Sequence, residues 1–307
     1  MPRGIGQLYR QARQRPTNIQ SMQEKNFYSL GRHGFHRIHY TEWGEADNPN
    51  VVVCVHGLAR NCRDFDFLAE ALAPHCRVLC PDLPGRGQSA WLTHKEDYDY
   101  PHLLPGMAAL LARATEHCGD ETHISWVGTS LGGLLGMALA AQPDTPIRRL
   151  VLNDFGPFVP QAALERIGAY FGSEPVFDSF EQLEAYVRMV SATFGPLTDS
   201  QWRHLALHNS RRLGDGRYGL IYDPGIATPY HRQIGDVELW HLWDSLRCPV
   251  LVLRGTQSDL LLSATAHEML RRGPSAQLLE LPGVGHAPAL MDAQQIAPIR
   301  EFLLTVE

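Results

Sequence analysis

With 307 residues and 44% hydrophobic content, the chain is long for one domain and short for two complete ones, and it has ample apolar material for a sizeable core. A formal charge of −6, with no basic stripe to neutralise phosphates, argues against a nucleic-acid partner. No apolar stretch approaches the roughly 20 residues needed to span a bilayer, so a soluble protein with no membrane span is expected.

Residues 1–25 read as an N-terminal arm. Its first 23 residues carry Arg3, Arg10, Arg13 and Arg15 and no acid, and they lack the apolar core of a secretion signal. Phe27 to Leu30 and Phe35 to Trp43 read as an antiparallel pair turning at Gly31 to Gly34. A buried strand over Val51 to Val55, a helix over Asp64 to Leu72 and a strand over Arg77 to Cys80 follow. A Pro- and Gly-rich loop leads to a helix through Met107 to Glu116. Strand Ile124 to Val127, another helix, and strand Arg149 to Leu152 complete the first half. This alternation predicts an α/β fold, a mostly parallel open sheet with helices on both faces.

The rhythm then stops. Residues 155–246 carry aromatic residues at helical spacing and a turn-rich stretch, too long for an unstructured loop, and are expected to form a mainly helical cap. Strand Pro249 to Leu253, helix Ala264 to Arg271, strand Gln277 to Leu281 and a last helix toward Leu304 return to the core, with Pro298 obscuring where that helix begins. The expected organisation is therefore an arm at 1–25, a core at 26–154 and 247–307, and a cap at 155–246. Cys54, Cys62, Cys76, Cys80, Cys118 and Cys248 include no C-x-x-C pair and several fall in apolar runs, so buried thiols in a reducing, cytoplasmic compartment are expected.

Gly128-Thr129-Ser130-Leu131-Gly132 lies between the apolar run ending at Val127 and a small apolar helix. A serine flanked by glycines at a strand-to-helix turn is a nucleophile elbow: the turn presents the hydroxyl at the sheet edge, beside the unpaired N–H groups of the helix start. A serine hydroxyl needs a base, and the base needs an orienting acid. His286 follows one strand through Pro282-Gly283-Val284-Gly285, and Asp259 follows another through Arg254-Gly255-Thr256-Gln257-Ser258. Both lie beyond strand carboxyl ends, where open α/β sheets bind ligands. His56-Gly57-Leu58 ends an earlier strand at the same edge, and the backbone N–H groups of Leu58 and Leu131 are the expected oxyanion donors.

With these motifs and Asp82-Leu83-Pro84-Gly85-Arg86-Gly87-Gln88-Ser89, the chain from about residue 26 onward resembles the α/β-hydrolase superfamily, in a carboxylesterase-like member with a helical cap after strand 6. The resemblance implies Ser130 as nucleophile, Asp259 as orienting acid, His286 as general base and then acid, and no cofactor or metal. Asp154, after the sixth strand, is the rival acid, because some relatives supply it from there; it is otherwise read as a cap-hinge residue.

Other polar residues receive lesser roles. Arg60 is a candidate for recognising a substrate carboxylate, against an ion pair with Asp64, and Asn61 is placed beside it as a substrate-binding residue. His56 is expected to fix the oxyanion loop, and Asp82 to accept backbone bonds as scaffold. His204 and His208, four apart, can share a helix face as metal ligands, but no third ligand is evident and cap surface is the default reading. Trp240 and Trp243 are expected to pack the cap against the sheet.

The function implied is hydrolysis of a small to medium carboxylic ester through an acyl-enzyme intermediate. Thioesters, enol lactones and hydrolysable carbon–carbon bonds are alternatives for the same residues. Carbon–carbon hydrolases of this family commonly carry Asn-Ser-Met at the elbow, unlike Thr129-Ser130-Leu131. A ligand-binding receptor on the same scaffold is the non-enzymatic alternative.

Overall fold

The computed structural model describes residues 22–169, 172–230 and 235–305. Most of the expected N-terminal arm lies outside the described residues, and the first strand begins at Gln23.

Strands β1 (Gln23–Gly31) and β2 (Gly34–Trp43) form the expected antiparallel pair, with Gly31 opposite Gly34. β1 alternates as an edge strand does: Phe27 and Ser29 are buried, whereas Tyr28 and Leu30 face solvent. β3 (Asn50–Val55) is a continuous apolar run because it is covered on both faces. A single 3-10 turn over Cys62–Phe65 leads into α1 (Asp66–Leu72), and β4 (Arg77–Pro81) follows.

Helix α2 spans Tyr100–Ala114, seven residues ahead of the expected start at Met107. The Asp99 side chain caps it by accepting from the His102 N–H, and Pro101 sits in its first turn, where a proline costs nothing. Pro105 lies inside the helix, yet burial of Leu103, Met107, Leu110 and Leu111 outweighs the lost backbone bond. β5 (His123–Thr129), α3 (Leu131–Ala140) and β6 (Ile147–Asn153) complete the first half.

The segment from 155 to 246 contains β7 (Phe158–Val159), α4 (Gln161–Gly168), α5 (Phe180–Val190), α6 (Asp199–His208), the hairpin β8 (Ser210–Arg212) with β9 (Tyr218–Leu220), β10 (Val237–Glu238) and α7 (Trp240–Ser245). Leu183, Val187, Trp202 and Leu205 give it a small apolar core, which also takes in Ala289 and Met291 from the loop after the last strand. Trp243 is fully buried in the main core and donates its indole N–H to the Arg272 carbonyl, as expected of a residue joining this segment to the sheet layer. The chain then returns through β11 (Val250–Gly255), α8 (Ser263–Met269), β12 (Ala276–Leu281) and α9 (Ala293–Leu304), the last capped by Asp292 and continuing through Pro298.

The eight main strands form one sheet in the order β1-β2-β4-β3-β5-β6-β11-β12, parallel from β4 to β12. One apolar cluster joins α2, α3 and α7 to one face, and a second joins α1 and α9 to the other. Among the described residues, no helix is long and apolar enough to cross a membrane.

The β5-to-α3 junction is the tightest point of this packing. A Cβ on Gly128 would stand 2.2 Å from the Gly132 carbonyl oxygen, and one on Gly132 would stand 1.9 Å from that of Val55. Neither obstacle is a flexible side chain. Gly132→Ala is therefore expected to destabilise the fold by about 3 kcal/mol or more, measured as a lowered urea midpoint.

Candidate active site

Ser130 occupies the turn between β5 and α3 at φ 53° and ψ −115°, in the positive-φ region that L-residues rarely adopt. Its N–H donates to the Asn153 carbonyl at 3.2 Å, fixing the turn to the neighbouring strand end. The Ser130 hydroxyl lies 2.9 Å from His286 Nε2, and His286 Nδ1 lies 2.7 Å from Asp154 Oδ2. An ionised carboxylate only accepts hydrogen bonds, so Nδ1 carries the imidazole proton and Nε2 is left as the acceptor facing the serine.

The structure places Asp154, not the expected Asp259, beside His286. Asp154, with φ 53°, follows β6 directly; its side chain is fully buried, and Oδ1 accepts from the Gly255 N–H at 2.9 Å while Oδ2 accepts from the Ser258 hydroxyl at 2.5 Å as well as from His286. Asp259 points elsewhere, into a bidentate pair with Arg166 of α4 whose second contact is 2.8 Å, with about half its side chain exposed. Partial burial opposes its charge, but the Arg166 guanidinium wins and holds the Asp259 carboxyl below the usual range. Three residues separate β11 from Asp259, enough to carry it out to the surface, whereas Asp154 adjoins its strand. Ser258, read only as part of a motif with Asp259, is the neighbour that contacts the acid.

The expected oxyanion donors lie at the same edge. Leu131 is the first residue of α3, so its N–H belongs to the turn that has no intrahelical acceptor. Gly57 lies against Ser130, with a Cβ position 3.5 Å from that of the serine, which brings the Leu58 loop alongside the hydroxyl. Arg86 braces this loop: its side chain is fully buried and Nε donates to the Leu58 carbonyl at 2.7 Å. Nothing in the sequence around Arg86 signals that role.

His56 fixes the loop as expected. Its Nδ1 donates to the Gly57 carbonyl at 2.7 Å, and its Nε2 accepts from the Leu83 N–H at 3.0 Å. Burial lowers its pKa to about 4. Asp82 is a buried scaffold carboxylate that accepts from the Cys62 N–H, the Gln88 N–H and the His39 ring, each at 2.8 Å.

Arg60 and Asn61, the expected substrate-binding residues, both make contacts with other protein groups. Arg60 makes a two-point pair with Asp64 at 2.7 and 2.8 Å and lies over the Phe194 ring. Asn61 is buried; its Oδ1 caps the 3-10 turn through the Arg63 N–H, and its Nδ2 donates to the His208 carbonyl and to Asn209. It ties the end of α6 to the loop after β3. Arg60 still lines a cavity of about 30 Å³, water-sized, together with His56, Thr129, Phe194, Leu205 and Leu290.

His204 and His208 meet on one face of α6 and are joined there by Asp66, the third carboxylate or imidazole that sequence spacing does not reveal. Burial, with Arg63 and His204 nearby, lowers the His208 pKa to about 4.

Comparison with known proteins agrees with this architecture. Residues 52–299 match the model of the Alpha/beta hydrolase family. The chain is 45% identical over 278 residues to a 3-hydroxybutyrate-oligomer hydrolase of Cupriavidus necator, covering 88% of this chain and 93% of the relative. It is 30% identical over 235 residues to Esterase Rv0045c of Mycobacterium tuberculosis, covering 75% and 73% respectively. Among solved structures, an alpha/beta hydrolase from Novosphingobium aromaticivorans superposes with a TM-score of 0.79 at 36% identity, covering 91% of this chain and 98% of the other. The chain belongs to the alpha/beta hydrolase family.

Two measurements test the site. Asp154→Asn is expected to lower kcat on any substrate by about a thousandfold to ten-thousandfold, through loss of the Nδ1–H tautomer, while Asp259→Asn stays within a few-fold of wild type. Equal losses would return Asp259 to the site. The second test concerns His56, which is neutral in the folded protein down to about pH 4 but takes a proton near pH 6.5 when unfolded. Between those values the unfolded state binds more protons, so stability present above pH 6.5 is lost as pH falls. Urea unfolding at pH 7.5 and 5 should show wild type losing about 2 kcal/mol more than His56→Asn over that interval.

Proposed function

We propose that the chain is a serine hydrolase in which Ser130 is the nucleophile, His286 the general base and then acid, and Asp154 the residue that orients it. The observation that carries this reading is the continuous bond chain from the Ser130 hydroxyl through His286 to the buried Asp154 carboxylate. Ser130 attacks the ester carbonyl carbon as His286 Nε2 takes its proton. The N–H groups of Leu58 and Leu131 receive the charge that develops on the carbonyl oxygen. His286 then returns the proton to the departing alcohol, leaving an acyl-Ser130 that water, deprotonated by the same imidazole, hydrolyses.

The chain hydrolyses carboxylic esters. Within that class we place short linear esters of a 3-hydroxy acid first, because the relative at 45% identity is a 3-hydroxybutyrate-oligomer hydrolase and aligns over nearly its whole length. Such an oligomer presents small acyl units, in keeping with the narrow, largely apolar space between Thr129, Phe194, Leu205 and Leu290. Residues 155–246 act as the cap over this site, and Phe194, packed under Arg60, is the part of it that substrate must displace. Five of the six cysteines are buried and all are free thiols, which supports placing the enzyme in the reducing cytoplasm.

The test is hydrolysis of p-nitrophenyl esters from acetate to decanoate, and of 3-hydroxybutyrate dimer and trimer, by wild type and Ser130→Ala side by side. Turnover of the oligomers and of short-chain esters, reduced by at least about a thousandfold in Ser130→Ala, is expected. Equal turnover by both proteins would remove Ser130 as nucleophile. Turnover of p-nitrophenyl esters without cleavage of dimer or trimer would leave the mechanism and overturn the substrate.

A further inference from the structure

Three side chains outside the catalytic chain converge where the covering segment meets the sheet layer. His204 and His208 stand one turn apart in the last part of α6, and Asp66 is the first residue of α1. One ligand atom from each lies within 4.8 Å of the other two. His204 Nε2 is 3.5 Å from Asp66 Oδ2, and the two imidazole centroids are 4.5 Å apart. The Phe67 ring meets His204 edge-on at 5.2 Å and sets its plane, while Asp66 is buried and the histidines are half-buried.

We propose that Asp66, His204 and His208 form a binding site for a transition-metal dication of the zinc class, which staples α6 to α1. Two imidazoles and one carboxylate with a position left open are a donor set suited to zinc. Bonds of about 2.0–2.2 Å in tetrahedral geometry place ligand atoms about 3.3 Å apart, so closing the site takes rotamer shifts of about an ångström. Two contacts yield to the metal. His204 Nε2 now lies 3.0 Å from the Arg63 carbonyl, and the Arg63 guanidinium pairs with the Asp66 carboxylate at 2.6–2.9 Å. The Arg63 side chain is 23% exposed, so it can turn into solvent when the dication takes over the carboxylate. A second cluster, His39, Cys62 and Asp82, is equally close but fully buried, and both Asp82 oxygens already accept from backbone or imidazole donors, which leaves a metal neither entry nor a free carboxylate.

Because the ligands come from both sides of the seam, bound metal should stabilise the fold and hold the covering segment down. The experiment is calorimetric titration of the metal-free full chain with zinc in a non-coordinating buffer at pH 7.5, with melting curves of the same samples. Wild type is expected to bind one equivalent saturably and to melt at a higher temperature with zinc. His204→Gln and His208→Gln are each expected to weaken binding by at least about tenfold and to abolish the shift, and either variant alone decides if the other fails to fold. His286→Gln is expected to bind zinc as wild type does. No saturable equivalent, undiminished binding in the α6 variants, or loss of binding in His286→Gln instead would each overturn the proposal.

Discussion

The buried carboxylate of Asp154 is the junction on which the carboxyl edge of the sheet depends. It gathers the end of β6, the turn after β11 through Gly255 and Ser258, and the loop after β12 through His286, so that three separately formed connections are held at fixed separations by one side chain. Such a charge would be costly to bury alone, and its hydrogen bonds offset that cost. With the carboxylate fixed, the imidazole has one tautomer and one direction. The Ser130 turn then needs only to place its hydroxyl at the free nitrogen, and the glycines beside it let strand and helix close around that position.

The segment 155–246 is secured to the rest of the chain by bonds on several sides. Asn61 donates to its backbone at His208, Asp223 meets Lys95 and Tyr98, Arg166 pairs with Asp259, and Gln201 donates to the Met291 carbonyl. Residues that read from sequence as substrate-facing thus divide between two tasks. Asn61 spends its amide on attachment, and Arg60 spends its guanidinium on Asp64 while its flank bounds the cavity.

Much of this was legible in the sequence because it rests on local signals. The β-branched run Val51 to Val55 reads as a buried strand, Gly31 and Gly34 mark a hairpin, and Gly-Thr-Ser-Leu-Gly marks an elbow whatever surrounds it. The start of α2 was missed because Pro105 opposes a helix locally, while the Asp99 cap and the burial of Leu103 and Met107 decide in its favour. Which carboxylate meets His286 was missed for a different reason. Asp154 and Asp259 both follow core strands, and choosing between them requires knowing that β6 and β11 pair with Asn153 opposite Leu253, which leaves Asp154 at the sheet edge and Asp259 beyond a surface turn. The contacts of Arg86 and Asp66 likewise join positions far apart in the chain, for which no spacing rule exists.

One consequence follows from where the chain leaves the sheet. Asp154, which contacts His286, is also the last residue before the excursion of residues 155–246 begins, and positive φ at Asp154 turns the chain outward while its side chain turns in. The excursion is otherwise a single connection between adjacent parallel strands. A change in the length of this excursion therefore leaves Asp154 in register on β6, so long as the bonds that tie the excursion to Asn61, Asp259 and Met291 are kept. An insertion or deletion one residue upstream would shift the carboxylate out of register.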